Sequence, residues 1–279
     1  MKIHCWGSRG SIAVSGKDYV KYGGDTCCVE IEGNSGDLIV IDAGTGIRAL
    51  GNKLEKEKRL NINLLITHAH WDHLSGFPFF TPIYNKESVI RVYGPQPTQV
   101  SLKRIVSKTM SAPYFPIELE DINAKISFLG MGNKDYSIGS IKITTIPLSH
   151  PNEGVGYRFE EDGRSFVFLT DNELTYRHKT GLGYKDYVGF ARGADLLFHD
   201  AEFKRGEYKK TRGWGHSVYL DTLKFAIDSD AKALGLFHHN QERTDEEIDG
   251  MVKKCRKEIA QKNAELECFA VAKGMEITL

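Results

Sequence analysis

Short apolar runs recur along the chain at 2–6, 28–31, 38–41, 63–66, 89–93, 141–146, 156–159, 166–169, 195–198, 234–237 and 269–272. Their length, their β-branched and aromatic content and the Gly, Asp and Asn residues around them predict strands. Apolar residues with a helical period predict helices at about 46–58, 73–80, 97–110, 217–228 and 243–262. The early strands follow one another as hairpins, and the helices are interspersed rather than strictly alternating with strands. That order predicts a mixed α/β (α+β) protein with two mixed β-sheets face to face and helices outside, rather than a doubly wound parallel sheet. Each half reads as strands followed by helices, the trace of an internal duplication. No low-complexity tract, Pro-rich linker or long charge block interrupts 1–279, so one domain is expected.

Composition narrows the function. The 279 residues include 37 basic and 37 acidic side chains, and 41% are hydrophobic, which is ordinary globular composition. Zero net charge counts against bulk electrostatic capture of nucleic acid, though not against a local basic patch. No apolar run reaches membrane-spanning length, and the first six residues lack the basic-then-apolar pattern of a secretory signal. Cys5, Cys27, Cys28, Cys255 and Cys268 are odd in number and lack C-x-x-C spacing, as expected of reduced, mostly buried thiols in a cytoplasm. Cys27 and Cys28 are adjacent, so a strand would turn them to opposite faces.

The chemistry concentrates in His68-x-His70-x-Asp72-His73, four metal-capable side chains within six residues. The cluster follows an apolar run, so His68 and His70 would be aimed to one side, and a turn into a helix would carry Asp72 and His73 to a second point nearby. Imidazoles and carboxylates are ligands that zinc, manganese and iron accept. Other apolar runs also end in such residues, at His150, Asp171, Asp200 and His238. One expected arrangement places His68, His70 and His150 on one cation and Asp72, His73 and His238 on another, with Asp171 bridging. His238 is preferred to His239 as the last ligand. Two such cations with a bridging hydroxide form a hydrolytic centre. Asp42, in Asp42-Ala43-Gly44-Thr45-Gly46, either caps a turn or holds a ligand histidine in its tautomer.

With these residues in place the chain resembles the metallo-β-lactamase superfamily over nearly its whole length, most of all the hydrolases related to tRNase Z and to cyclic-phosphate phosphodiesterases. Gly7-Ser8-Arg9-Gly10-Ser11, Tyr22-Gly23-Gly24-Asp25-Thr26 and Gly213-Trp214-Gly215-His216-Ser217 resemble a bacterial branch, with Asp25 standing where that branch has Asn. The resemblance implies an αββα sandwich with a dinuclear centre at one edge of the sheets, holding two divalent metal ions, zinc first and manganese or iron as alternatives. It also implies that His216 donates a proton and that Asp200, in His199-Asp200-Ala201-Glu202, orients it. His199 is expected to hydrogen-bond locally.

The function expected is a metal-dependent phosphodiesterase acting on a small or cyclic phosphodiester such as a cyclic nucleotide. A metal-bridging hydroxide would attack phosphorus while His216 protonates the leaving oxygen. Catalytic candidates are His216, Asp200 and Asp72, the last also a metal ligand. Ser8, Arg9 and Ser11 either meet substrate phosphate or form a structural turn. The aromatics at 77–80 and 112–117 either wall a pocket or join the core. An RNA-processing nuclease of tRNase Z type is the nearest rival, and a ligand-binding protein without turnover the more distant one. The expected partner is the small substrate, with no membrane, extended nucleic acid less favoured and a homodimer admitted.

Overall fold

The computed structural model describes residues 1–95, 102–131 and 136–279. The strands are β1 Lys2–Gly7, β2 Cys28–Glu32, β3 Leu38–Ile41, β4 Asn61–Leu65, β5 Val89–Pro95, β6 Lys125–Met131, β7 Tyr136–Ile138, β8 Ile141–Pro147, β9 Val155–Glu161, β10 Arg164–Leu169, β11 Leu196–Asp200, β12 Ala233–Phe237, β13 Glu267–Ala270 and β14 Glu276–Thr278. The helices are α1 Ile47–Glu57, α2 Trp71–Leu74, α3 Leu102–Thr109, α4 Tyr184–Ala191, α5 Tyr208–Thr211, α6 Tyr219–Asp228 and α7 Asp245–Gln261. The helix expected at 97–110 is present from Leu102, and its first residues lie outside the described ones. The one expected at 73–80 divides into the single turn of α2 and a tight turn at Phe77–Phe79, because Pro78 cannot continue the ladder.

Two seven-stranded sheets form, in the orders β14-β1-β2-β3-β4-β5-β6 and β13-β12-β11-β10-β9-β8-β7. Strands β1, β2 and β3 pair antiparallel, and β4, β5 and β6 then add in parallel. The second sheet repeats the pattern: β8, β9 and β10 pair antiparallel, then β11, β12 and β13 add in parallel. Strand β14 returns to pair with β1. In consequence β1, β3 and β4 run one way in the first sheet, and β8, β10, β11 and β12 run one way in the second.

Period-2 burial assigns each strand's side chains to separate layers. In β3, Ile39 and Ile41 face the core between the sheets while Leu38 and Val40 face α1. In β10, Phe166 and Phe168 enter the inter-sheet core and Val167 and Leu169 pack toward α4, α6 and α7. Cys27 and Cys28 fall on opposite faces, as adjacency in an extended segment requires. The result is the αββα sandwich expected from the sequence. Tyr157 on β9 donates from its hydroxyl to the Ile66 carbonyl beyond β4 (2.8 Å), tying the sheets together at one end. Among the described residues no helix is long and apolar enough to cross a membrane.

The inter-sheet core centres on Phe198, whose ring meets Phe166 edge-on at 5.1 Å and stacks on Phe237 at 5.8 Å. Phe198→Ala should therefore cost about 3–5 kcal/mol of stability. Denaturant unfolding of the variant measures it, and a loss below 1 kcal/mol would remove this ring from the centre of the core.

Candidate metal centre

Most side chains of the site leave the C-terminal end of a strand, whereas His216 lies in the segment between α5 and α6. Ser8 to Ser11 follow β1, Asp42 follows β3, His68 to His73 follow β4, His150 follows β8, Asp171 follows β10, Asp200 ends β11 and His238 follows β12. Four of these residues hold left-handed backbone: Ser11 (φ 62°), Asp42 (61°), Asp171 (52°) and His238 (56°). Non-glycine residues occupy that region at a cost of about 1–3 kcal/mol each, sustained where the surroundings over-determine the position.

The side chains converge as overlapping groups, of which one joins Asp171 and His238 to Asp200 and His216 and two hold the first-cluster residues His68 to His73. Of these two, His68, His70, His150 and Asp171 form one, and Asp72, His73, Asp171 and His238 the other, with the ligand atoms of each within 4.8 Å of one another. Asp171 is shared. Its Oδ2 lies 3.5 Å from His68 Nε2 and 3.9 Å from His150 Nε2, and its Oδ1 lies 3.3 Å from both His73 Nε2 and His238 Nε2. His70 Nδ1 is 3.1 Å from His150 Nε2, and Asp72 Oδ2 is 3.1 Å from His238 Nε2 and 3.3 Å from His73 Nε2. Four ligand atoms 2.0–2.1 Å from a tetrahedral zinc ion stand roughly 3.3–3.4 Å apart. The spacing fits, and the buried Nε2 atoms of His68 and His73 have no hydrogen-bond partner, as expected of atoms kept for a cation.

The opposite nitrogen of each deeply buried histidine is held in place. His73 Nδ1 meets Asp42 Oδ2 at 2.7 Å, and Asp42 also accepts from the Thr67 amide and hydroxyl. Of the two readings of Asp42, the structure shows the one in which its carboxylate holds the His73 ring. His68 Nδ1 lies 3.1 Å from Thr67 Oγ1, and His238 Nδ1 lies 3.0 Å from Glu202 Oε2. His150 Nδ1 donates to the Gly215 carbonyl (3.1 Å). A Cβ on Gly215 would fall 1.9 Å from His150 Nδ1, and the residue has φ +97°; one on Gly10 would fall 2.3 Å from the His238 ring. Both glycines let backbone pass directly behind a histidine, which accounts for their places in the two Gly-rich segments.

His216 lies at the rim, its Nδ1 2.6 Å from Asp200 Oδ2 and 3.3 Å from Glu202 Oε2, with its ring stacked on His238 at 4.8 Å. Burial opposes its charged form, but the Glu202 and Asp200 carboxylates outweigh burial and push its pKa up to about 9. Burial depresses His68, and His150 to about 3. For His73 and His238 the neighbouring carboxylates overcome burial and raise the pKa, while the same histidines hold Asp72 and Asp171 well below the usual carboxylate range.

Of the two readings of Ser8, Arg9 and Ser11, the hydrogen bonds favour the structural turn, although Arg9 is buried and not exposed. Arg9 is fully buried, and its guanidinium donates to the carbonyls of Gly23, Asn240 and Arg243, so the fork ties loops together and is not free to meet phosphate. Ser8 is also buried, its hydroxyl donating to the Val271 carbonyl. Ser11 sits beside the cluster through its amide, which donates to Asp72 Oδ2 (2.8 Å), with its side chain exposed. His239 faces away, its Nε2 donating to the Val271 carbonyl. His199 bonds locally, to the Asp200 carbonyl and to Asn172. Asp25 accepts from Thr45 and pairs with Lys273, a cation that an Asn would leave unpaired. Of the aromatics at 77–80, Phe77 and Phe80 enter the core, whereas Phe79 is exposed.

Sequence reasoning missed Glu202 and Glu173. Glu202 holds His238 and lies within reach of His216, and its position two residues after Asp200 was the available signal. Glu173 accepts from the amides of Gly213 and Gly215 (both 2.8 Å) and from Tyr208 and His178, fixing the segment that carries His216.

The sequence profile of the Beta-lactamase superfamily domain matches residues 38–239, a span that includes all seven residues of the two groups. Ribonuclease Z of Porphyromonas gingivalis is 23% identical over 246 residues, covering 73% of this chain and 79% of that protein. Among solved structures, the metallo-beta-lactamase fold protein YhfI from Bacillus subtilis superposes with a TM-score of 0.72 at 15% identity, over 99% of this chain and 98% of that one. A diphosphatase of the PhnP family gives 0.68 at 18% identity, over 100% and 97%.

Gly215→Ala should displace His150 and lower the zinc bound per folded chain at equilibrium. Metal analysis of dialysed protein, with circular dichroism to establish folding, checks this; full zinc content in the folded variant would contradict it.

Proposed function

This chain belongs to the beta-lactamase superfamily, and we propose that it is a metal-dependent phosphodiesterase hydrolysing a small or cyclic phosphodiester such as a cyclic nucleotide. It would act as one domain over 1–279 in the cytoplasm. The observation that carries the reading is His216 held by two buried carboxylates at the rim of the ligand groups. His68, His70 and His150 would hold one divalent cation and Asp72, His73 and His238 a second, with Asp171 between them. When bound, such cations (zinc, or else manganese or iron) neutralise phosphate charge and acidify a water.

The chain's own residues supply the rest. Asp200 occupies His216 Nδ1 and leaves Nε2 to give its proton to the departing oxygen. Asp200 and Glu202 keep that proton in place until it is needed. An alkoxide leaving group has a high pKa and depends on such a donor, whereas a thiolate does not, which favours an oxygen ester over a thioester. Relatives named ribonuclease Z and diphosphatase support hydrolysis at phosphorus.

His216→Ala should slow hydrolysis of alkyl-leaving-group diesters by roughly 10²–10⁴-fold and nitrophenyl diesters far less. Steady-state rates on the two classes decide it; equal losses would remove His216 from this role, and no turnover by the unaltered chain would leave a binding protein.

A second reading, an RNA-processing nuclease, is favoured by one surface. Lys209, Lys210 and Arg212 lie exposed just before His216, beside exposed Trp214 and Tyr176, and among the described residues none of the three cations is ion-paired. Cations interleaved with aromatics suit a nucleotide chain. The phosphodiesterase reading predicts that kcat/KM for a cyclic nucleotide changes little from 50 to 200 mM salt. A steep fall for a tRNA precursor, together with far higher activity on it, would establish the nuclease instead.

A further inference from the structure

Residues Ala69 and Trp71 alternate with the ligands His68, His70 and Asp72, and they build something of their own. Together with Leu74, Ile105, Lys108 and Thr109 they line a cavity of about 270 Å³ between α2 and α3. Ala69 and Trp71 sit on the segment that carries His68, His70 and Asp72, which places the cavity beside the centre. Leu74 and Thr109 are buried, Ile105 is half-buried, and Trp71 leaves 67% of its surface in water. The indole of Trp71 is thus largely open to a ligand and is flanked on both sides by metal-capable residues. Lys108 is exposed at the edge, and among the described residues its ammonium forms no ion pair.

We propose that this cavity binds the base of a nucleotide whose phosphate lies at the metal centre, with the base stacked on Trp71. The inference rests on the phosphodiesterase reading and names its substrate class: base-bearing nucleoside phosphodiesters rather than sugar phosphates. An aromatic base offers the flat apolar face that Trp71 and Ile105 match, and a sugar alone does not. Lys108 adds a positive charge that suits the polyanionic character of a nucleotide. The volume falls just under the roughly 300–1,000 Å³ of pockets for drug-sized ligands, which is room for one nucleoside and not for a helix of nucleic acid.

The test is equilibrium binding of AMP and of ribose 5-phosphate to the zinc-loaded full chain, measured by titration calorimetry. The base should tighten binding by roughly 5- to 150-fold. Trp71→Ala should remove most of that preference. Ile105→Trp, which fills the cavity from α3 without touching the ligand segment, should do the same, with zinc content measured in each variant. Equal affinities in the unaltered chain, or a preference that survives both substitutions, would overturn the proposal. Turnover of cyclic nucleotides, assayed in parallel, judges the hydrolytic reading separately. A lost preference with turnover intact strikes the pocket alone, and an intact preference without turnover strikes the hydrolysis alone.

Discussion

The carboxylate of Asp171 is the group around which the molecule is organised. It is fully buried at the meeting point of the two sheets, and its oxygens face two sets of histidines. An ionised carboxylate in such a place costs several kcal/mol unless positive charge surrounds it. Asp42, Asp72, Asp200 and Glu202 lie buried within the same region, so the excess of negative charge is large. Against burial, the neighbouring carboxylates raise the pKa of His73 and His238. Divalent cations would offset the excess directly, and binding them requires unprotonated imidazole nitrogens.

The fold delivers this arrangement through strand direction. Each sheet is a meander followed by parallel additions, so its strands that run alike all end on one edge. Two such edges meet, and side chains far apart in sequence become neighbours without long loops. The strained backbone at Asp42, Asp171 and His238 lies where strands stop and side chains turn into the site. Stacked phenylalanines between the sheets, and the Tyr157 hydroxyl bound to the Ile66 carbonyl, hold those ends in register. The first half of the chain contributes His68 to His73, and the second contributes His150, Asp171 and His238. The repeated pairing pattern brings like edges together.

Most of the ligand set was legible because each residue follows an apolar run and strand ends are where chemistry collects. His68, His70 and His150 come together with Asp171, as do Asp72, His73 and His238, whereas His239 points to the Val271 carbonyl. The strands of the core were legible for the same reason, since alternation and burial on both faces leave a strong pattern. Strands β6, β7 and β14 were missed: β7 and β14 are three residues each, and Gly130 breaks the apolar pattern of β6. Helix α4 was missed because aromatic and glycine residues blur its period, and α5 is a single turn. Glu173 carries no signal alone, as its partners arrive from distant segments, and for Glu202 the signal lay only in its place two residues after Asp200. For Arg9 both readings stood open in the sequence, because a planar fork serves carbonyls as readily as phosphates, and burial decides which.

Under the proposed reading, substrate choice would depend on His216, held by Asp200 and Glu202, and on the cavity lined by Trp71. Both act only if cations are held on either side of Asp171. Anomalous diffraction from crystals grown with zinc tests that point directly. The account predicts two peaks about 3.5 Å apart flanking the Asp171 carboxylate. A single peak, or peaks away from Asp171, would contradict it.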